Sequence, residues 1–397
     1  MAKRSRSVVV VAQSAKEIDE CRRDSHSRHA WSAGATVTVL KPVKRILLIA
    51  AVVTALMSPV RASAQVACVP AAADGGGGIA CFRLTDTGNV MTDAGNVTPD
   101  VSISGSDTTL TTGTLRSVWV DSAGNYYASR DGTDAFLWFA AGANGNVAPS
   151  STITGSNLTS GHPYRIITDA SGNIWVVSYT SSTVAKYAPC ASGTCNTAPS
   201  VVISGSNTQL NEPDAIAFDT AGDLWVATIG SNALIEFTAA QLVSGGNVAP
   251  AGNTISGDAT DLNFPYDMAI DSAGNIYVAN YWGNSVTVYD VGNQSGNVTP
   301  NQNIVGAATL LSSPVGVAVD SASNIYVAQP GNLLSFASGT TGNVAPNINI
   351  TGASALVNCG VGRMGITQPK QESIRAVRQI QAVVIRSVMQ QRIMAGG

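Results

Sequence analysis

Two stretches decide the fold: PYDMAIDSAGNIYVA, Pro265 to Ala279, and its echo PVGVAVDSASNIYVA, Pro314 to Ala328. In the first, Tyr266 to Asp271 alternates, with Met268 and Ile270 on one face, as a half-buried strand must. Asp271-Ser272-Ala273-Gly274-Asn275 then reads as a turn, where Gly274 takes a left-handed backbone without a Cβ clash. Ile276 to Asn280 alternates again, Gly283-Asn284 turns the chain, and Ser285 to Asp290 and Asn301 to Gly306 read as third and fourth strands. Four short antiparallel strands in about 50 residues is the signature of a propeller blade.

The same unit recurs along the chain. The string G-N-V-A/T-P starts at Gly95, Gly145, Gly246, Gly296 and Gly342, with the variant C-N-T-A-P at Cys195, so successive steps are 50, 50, 51, 50 and 46 residues. A turn string, D-x-x-G/S-N/D, starts at Asp121, Asp169, Asp219, Asp271 and Asp320, and I-x-G ends at Gly105, Gly155, Gly205, Gly257, Gly306 and Gly352. Aromatics keep step: Tyr127, Trp175, Trp225, Tyr277 and Tyr326 follow the turns, while Phe139, Tyr187, Phe237, Tyr289 and Phe336 sit on third strands. Residues repeated in every blade serve what every blade shares, so these rings are read as packing between sheets and the turn Asp residues as turn acceptors.

Five copies carry all four strands. An orphan pair precedes them, Ile79 to Leu84 with Phe82 in the third-strand place and Asp100 to Gly105 in the fourth, and an unfinished start, Gly352 to Gly362, follows. The expectation is an all-β, six-bladed β-propeller of four-stranded antiparallel blades. N-terminal strands close the last blade as its outer pair, and the C-terminus supplies the inner pair, which removes two exposed sheet edges. From Arg363 to Gly397 there are six basic residues and no turn motif, and Ile374, Val377, Gln381, Val384 and Val388 fit one amphipathic helix. This tail, 363–397, is expected to be irregular or helical, either a capping helix or a truncated, non-native end.

Charge divides the chain the same way. From Gln65 to Gly362 there are 18 Asp and two Glu against four Arg and one Lys, a net of −15, which repels phosphate backbones and argues against a nucleic-acid partner. Residues 1–64 read as an N-terminal extension and signal peptide: Lys41, Lys44 and Arg45 precede an apolar core at 46–57, and Ala62-Ser63-Ala64 suits cleavage after Ala64. The apolar run is too short to span a bilayer, so no stable membrane span is expected after cleavage and the product is expected to be secreted, periplasmic or extracellular. The polar residues 1–36 are foreign to a signal peptide, and a true start near Val37 or Val39 is expected. Six Cys fit export: Cys190 and Cys195 flank a four-residue loop, and Cys68 pairs with Cys81 unless Cys359 reaches one of them across the seam.

The pattern P-x-x-I/M/V-A-x-D-S/T-A-G/S-N/D-I/L-Y/W-V-A resembles the NHL repeat of six-bladed β-propellers over most of residues 79 to 362. Its usual N-R-I-Q-V-F third strand is replaced here by strands such as Ser285-Val286-Thr287-Val288-Tyr289. The resemblance implies the fold and leaves function open between classes. Streptogramin-lyase-like propellers use a His base and a metal, yet this body holds one His, His162. Gluconolactonase-like propellers hold a divalent ion in the channel, for which Glu212, Asp214 and Asn280 are the candidates; oxygen ligands suit Ca²⁺, and no other cofactor is expected. The expected function is a binding or scaffold module of the cell envelope, with a metal-dependent lactonase or lyase as the alternative. A protein, peptide or carbohydrate ligand is expected on the face where non-repeated loops meet, at Arg130, Tyr179, Glu212, Asn280, Tyr281 and Trp282, the last two as a stacking pair.

Overall fold

Hairpins of alternating apolar residues build six sheets in the computed structural model, which describes residues 66–73, 76–83, 99–110, 115–130, 134–158, 163–351 and 365–366. All of them lie in one unit, 62–397. Strands are numbered in chain order. Blade I comprises β4 (Leu115–Val120), β5 (Tyr126–Arg130), β6 (Ala135–Phe139) and β7 (Ser151–Thr154). Blade II comprises β8 (Pro163–Thr168), β9 (Ile174–Ser178), β10 (Thr183–Tyr187) and β12 (Val201–Ile203); β11 (Gly193–Cys195) leaves it to pair parallel with β7. Blade III is β13 (Pro213–Phe218), β14 (Leu224–Thr228), β15 (Ala233–Phe237) and β16 (Thr254–Ser256). Blade IV is β17 (Pro265–Ile270), β18 (Ile276–Asn280), β19 (Ser285–Tyr289) and β20 (Gln302–Val305), and blade V is β21 (Gly316–Val319), β22 (Ile325–Gln329), β23 (Asn332–Phe336) and β24 (Ile348–Thr351).

The seam blade joins both ends of the unit, in a different ratio from the expected two and two. β1 (Val66–Ala73), β2 (Gly76–Arg83) and β3 (Val101–Ser104) supply three strands, and the tail supplies one short innermost strand, β25 (Gly365–Ile366), antiparallel to β1. Small residues hid β1 from the sequence: in VACVPAAA, Ala and Pro replace the branched and aromatic residues that mark strands. Cys68 faces Cys81 across the β1–β2 ladder, and the two form a disulfide. The expected signal peptide, the 363–397 tail apart from Gly365 and Ile366, His162 and Cys359 lie outside the described residues.

The core is a ring of six apolar clusters, each shared by two neighbouring blades. Phe82 and Ala67 pack against Tyr326 and Leu333 of blade V, while Cys81 and Ile103 pack against Leu137 and Phe139 of blade I, so the seam blade sits between the first and the last. The repeated rings are buried as their spacing implied: Trp175, Trp225, Tyr187, Tyr289, Tyr326, Phe82, Phe139, Phe237 and Phe336 all show at most 2% of their surface.

Two of the repeated strings are halves of one device. Gly145, Gly246, Gly296 and Gly342 bridge in parallel to Ile103, Ile203, Ile255 and Ile304 on the outer strand of the preceding blade. The Asn that follows accepts the next available backbone N–H there: Asn146 from Asp107 at 2.8 Å, Asn247 from Asn207 at 2.8 Å, Asn297 from Ala259 at 2.8 Å and Asn343 from Ala308 at 2.7 Å. The I-x-G glycine lies beneath that Asn; at Gly105, with φ +119°, a Cβ would stand 2.5 Å from the Asn146 side chain. In blade II, β11 and Asn196 do the same work, and the Cys190–Cys195 disulfide ties that segment back to its own blade.

Candidate functional site

Each inner strand runs from a loop face, reached by the segments between blades, to a turn face carrying the repeated Asp turns. The two ends of the channel differ in kind. On the turn face, Asp271 Oδ1 accepts the N–H groups of Ala273 and Asn275 at 2.9 and 3.0 Å, and Oδ2 accepts Tyr277 Oη at 3.0 Å and Ser323 Oγ of the next blade at 3.0 Å. Burial pushes the Asp271 pKa up, but the bonds from Asn275, Ser323 and Tyr277 outweigh it and hold the carboxyl below its ordinary range. Asp169 is held low in the same way by Asn173, Trp175 and Ser171. Asp121 and Asp320 repeat the arrangement with Tyr127 and Tyr326.

Blade III departs from that pattern. Asp223 stands where the other turns have Asn, and Glu236 pairs with Trp225 where blade II has Lys186, whose ammonium lies 3.5 Å from Asp169. Asp219, Asp223 and Glu236 thus bring carboxylate oxygens within 4.8 Å of one another, the one such group among the described residues. Burial and the charges of Asp223 and Asp219 raise the Glu236 pKa, against the pull of Asn253, whose N–H donates to Glu236 at 2.6 Å. Oxygen donors are of the kind Ca²⁺ takes, but three carboxylates supply fewer than the six to eight oxygens it binds.

On the loop face the backbone repeats and the side chains do not. β4, β8, β13 and β17 each carry an irregularity at their second residue, which leaves Arg116, Tyr164, Asp214 and Tyr266 out of the ladder. A bulge re-aims the side chain it carries. The residue before each inner-strand Pro is also special: Glu212, Phe264 and Ser313 have φ of +50°, +59° and +50°. That region is costly for a bulky residue, and a bond donated by its own N–H to the previous blade secures it. Asn232 Oδ1 accepts the Phe264 N–H at 2.7 Å, Asn284 Oδ1 accepts that of Ser313 at 2.7 Å, and Ser182 Oγ accepts that of Glu212 at 3.4 Å.

Two aromatic groups result. Phe264 stacks on Trp282 with centroids 4.1 Å apart and touches Tyr281 at 5.9 Å, and Tyr281 meets Tyr266 at 5.4 Å. Trp282 remains 64% exposed. In the neighbouring sector Tyr164 stacks on Tyr179 at 5.0 Å and carries the Arg116 guanidinium 5.1 Å above its ring. Burial raises the pKa of Tyr179, as does the Glu212 carboxylate to which its hydroxyl donates; Tyr164 and buried Asp214 add to the effect.

Beneath this mouth the channel is closed by Arg165 and Asp267, 3% and 0% exposed and 3.5 Å apart, with the Val317 N–H donating to Asp267 Oδ2 at 3.0 Å. The pair therefore ties blades II, IV and V across the axis. Between it and the turn face lies an apolar cavity of about 160 Å³ walled by Trp119, Ile216, Met268 and Val317.

Of the residues expected at the site, Tyr179 meets Glu212 and lies close to Asp214, while Tyr281 meets Trp282 through Phe264. Asn280 is fully buried in blade IV: its Oδ1 accepts the Asn263 N–H at 3.0 Å and its Nδ2 donates to Thr287 Oγ1 at 3.1 Å. Arg130 donates from Nη1 to the Thr109 carbonyl at 2.6 Å. Arg116, Tyr164, Phe264 and Tyr266 escaped the sequence reading. Their signal was present for three of them: Phe264 precedes an inner-strand Pro, and Tyr164 and Tyr266 take the first variable place after one, whereas Arg116 follows Leu115 where that Pro is missing.

No protein-family model matches the chain, and no curated protein matches it. Among solved structures, a streptogramin B lyase is similar at 10% identity and a TM-score of 0.41 over 56% of this chain, which spans 65% of that protein. A protein of unknown function from Bacteroides caccae is similar at 12% identity and a TM-score of 0.49, over 77% of this chain and 99% of its own. A protein from Lactobacillus plantarum is similar at 11% identity and 0.47, over 72% and 82%. These are likenesses; the six-bladed ring rests on the strand pairing of this chain.

Proposed function

We propose that the chain is an exported recognition or scaffold module of the NHL-repeat type, which binds a protein, peptide or carbohydrate ligand with the loop face of its propeller. One observation carries the reading. Phe264, Tyr266, Tyr281 and Trp282 pack on one another outside the repeated positions, with the indole open to solvent. Rings already held in place lose little entropy on binding, and aromatics dominate interface energetics. The Tyr164–Tyr179 stack and Glu212 extend the same face.

Export to the cell envelope draws support from the disulfides Cys68–Cys81 and Cys190–Cys195, which persist in oxidising compartments. Among the described residues no helix is long and apolar enough to cross a membrane. A metal-dependent lactonase or lyase draws less support, since the Asn280 amide is engaged by Asn263 and Thr287 and Glu212 accepts from Tyr179.

The test is a calorimetric screen of oligosaccharides and peptides against the wild type and Trp282→Ala. A bound ligand is expected whose affinity drops about tenfold or more in the variant, with an unchanged melting temperature. Ligands that bind equally well to both proteins would refute the assignment of this face.

A further inference from the structure

A cleft of about 560 Å³ lies between blades III and IV next to the aromatic cluster along the chain: Asn263 and Gly283 of the cleft wall are the chain neighbours of Phe264 and Trp282. We propose that the cleft and the open face of Trp282 together form a saccharide site whose ligand is a neutral oligosaccharide. The assignment rests on the recognition reading above and narrows it to one ligand class.

A pyranose ring presents two surfaces, a patch of C–H groups and an edge of hydroxyls that both donate and accept. The indole of Trp282 is backed by Phe264 at 4.1 Å and 64% exposed, which leaves one face flat, held and free to stack on the C–H patch. The cleft answers the hydroxyl edge with both kinds of partner: carboxylates of Asp258 and Asp261, amides of Asn263 and Asn303, and hydroxyls of Ser231 and Ser285. Asn303 donates from Nδ2 to Asp261 Oδ2 at 3.0 Å, which fixes both groups, while its buried Oδ1 has no hydrogen-bond partner among the described residues.

Charge narrows the class. Among the described residues no Lys, Arg or His lines the cleft, two carboxylates do, and the body from Gln65 to Gly362 carries a net of −15. A uronate or other acidic glycan is repelled by that field. A peptide held in extended form needs a free sheet edge or a row of apolar pockets, whereas among the described residues Leu262 and Val305 are the only aliphatic ones of this wall.

The experiment titrates the full chain with cellohexaose, xylohexaose, chitohexaose and maltohexaose, followed by calorimetry and tryptophan fluorescence. An oligogalacturonate and a lysine-rich hexapeptide run as parallel arms. At least one neutral hexasaccharide is expected to bind and to shift the fluorescence, with affinity about tenfold weaker in Trp282→Ala and about fivefold weaker in Asp261→Asn, both variants keeping the wild-type melting temperature. The oligogalacturonate is expected not to bind. Failure of all four neutral sugars at millimolar concentration overturns the saccharide assignment, as does sugar binding untouched by both substitutions. If the hexapeptide alone binds and needs Trp282, the saccharide assignment falls and the recognition module stands; if nothing binds through Trp282, both fall.

Discussion

The turn face and the loop face are built by the same six hairpin units and differ in what the repeat is allowed to vary. At the turn face, four of the five Asp turns hold the aromatic residue six places on through Oδ2, a Tyr at Asp121, Asp271 and Asp320 and a Trp at Asp169. At the loop face, the same bulge carries Arg116, Tyr164, Asp214 and Tyr266 in turn, and in blades III and IV a left-handed residue before Pro precedes it. Uniform side chains on a uniform backbone stabilise every blade alike. Diverse side chains on a uniform backbone are what the recognition role proposed above requires, because a ligand lacks the propeller's own symmetry.

The largest expected effect lies between the two faces. Asp267→Ala leaves Arg165 buried beside a lost partner and frees the Val317 N–H, so it is expected to cost about 3–5 kcal/mol in denaturant unfolding. An unfolding midpoint within error of the wild type would mean that the channel pair is dispensable and that the faces are held by the blade interfaces alone.

Asp271→Ala comes next, at about 2–3 kcal/mol, because the turn amides of Ala273 and Asn275 and the buried Tyr277 hydroxyl lose their acceptor. Its pH dependence has a definite sign. The folded-state pKa is lowered, so the stabilisation is complete above the unfolded value of about 4 and is lost as pH falls through the folded value. The gap in melting temperature between wild type and variant should therefore close on acidification, while ligand binding at neutral pH stays intact. A variant that loses binding and keeps its stability would reverse the roles assigned to the two faces.

The smallest effect sharpens the exception in blade III. Glu236 has a raised folded pKa, so its ionised form destabilises the fold as pH rises through that value and costs nothing below about pH 4. Glu236→Gln is expected to melt slightly above the wild type at pH 7, by less than about 1 kcal/mol, and with it in acid. A lower melting point at pH 7 would show that the carboxylate serves the blade as an acceptor for Asn253 more than it suffers from Asp219 and Asp223.

Sequence alone determined the repeat, the strand order within each blade, the register of the buried rings and the place of the Asp turns. These follow from alternation and turn chemistry within about 50 residues, and local periodicity is what a sequence displays. It also identified Trp282 and Tyr281 as residues outside the repeat. The seam was half legible, since Phe82 kept the third-strand aromatic while Val66–Ala73 lacked the residue types that announce a strand. Tertiary structure alone decided the cross-blade contacts: Asn146 over Gly105, Arg165 with Asp267, Phe264 against Trp282, and the cleft behind them. Each joins residues of different strands or different blades, and closing the ring brings them together at distances that no spacing along the chain encodes.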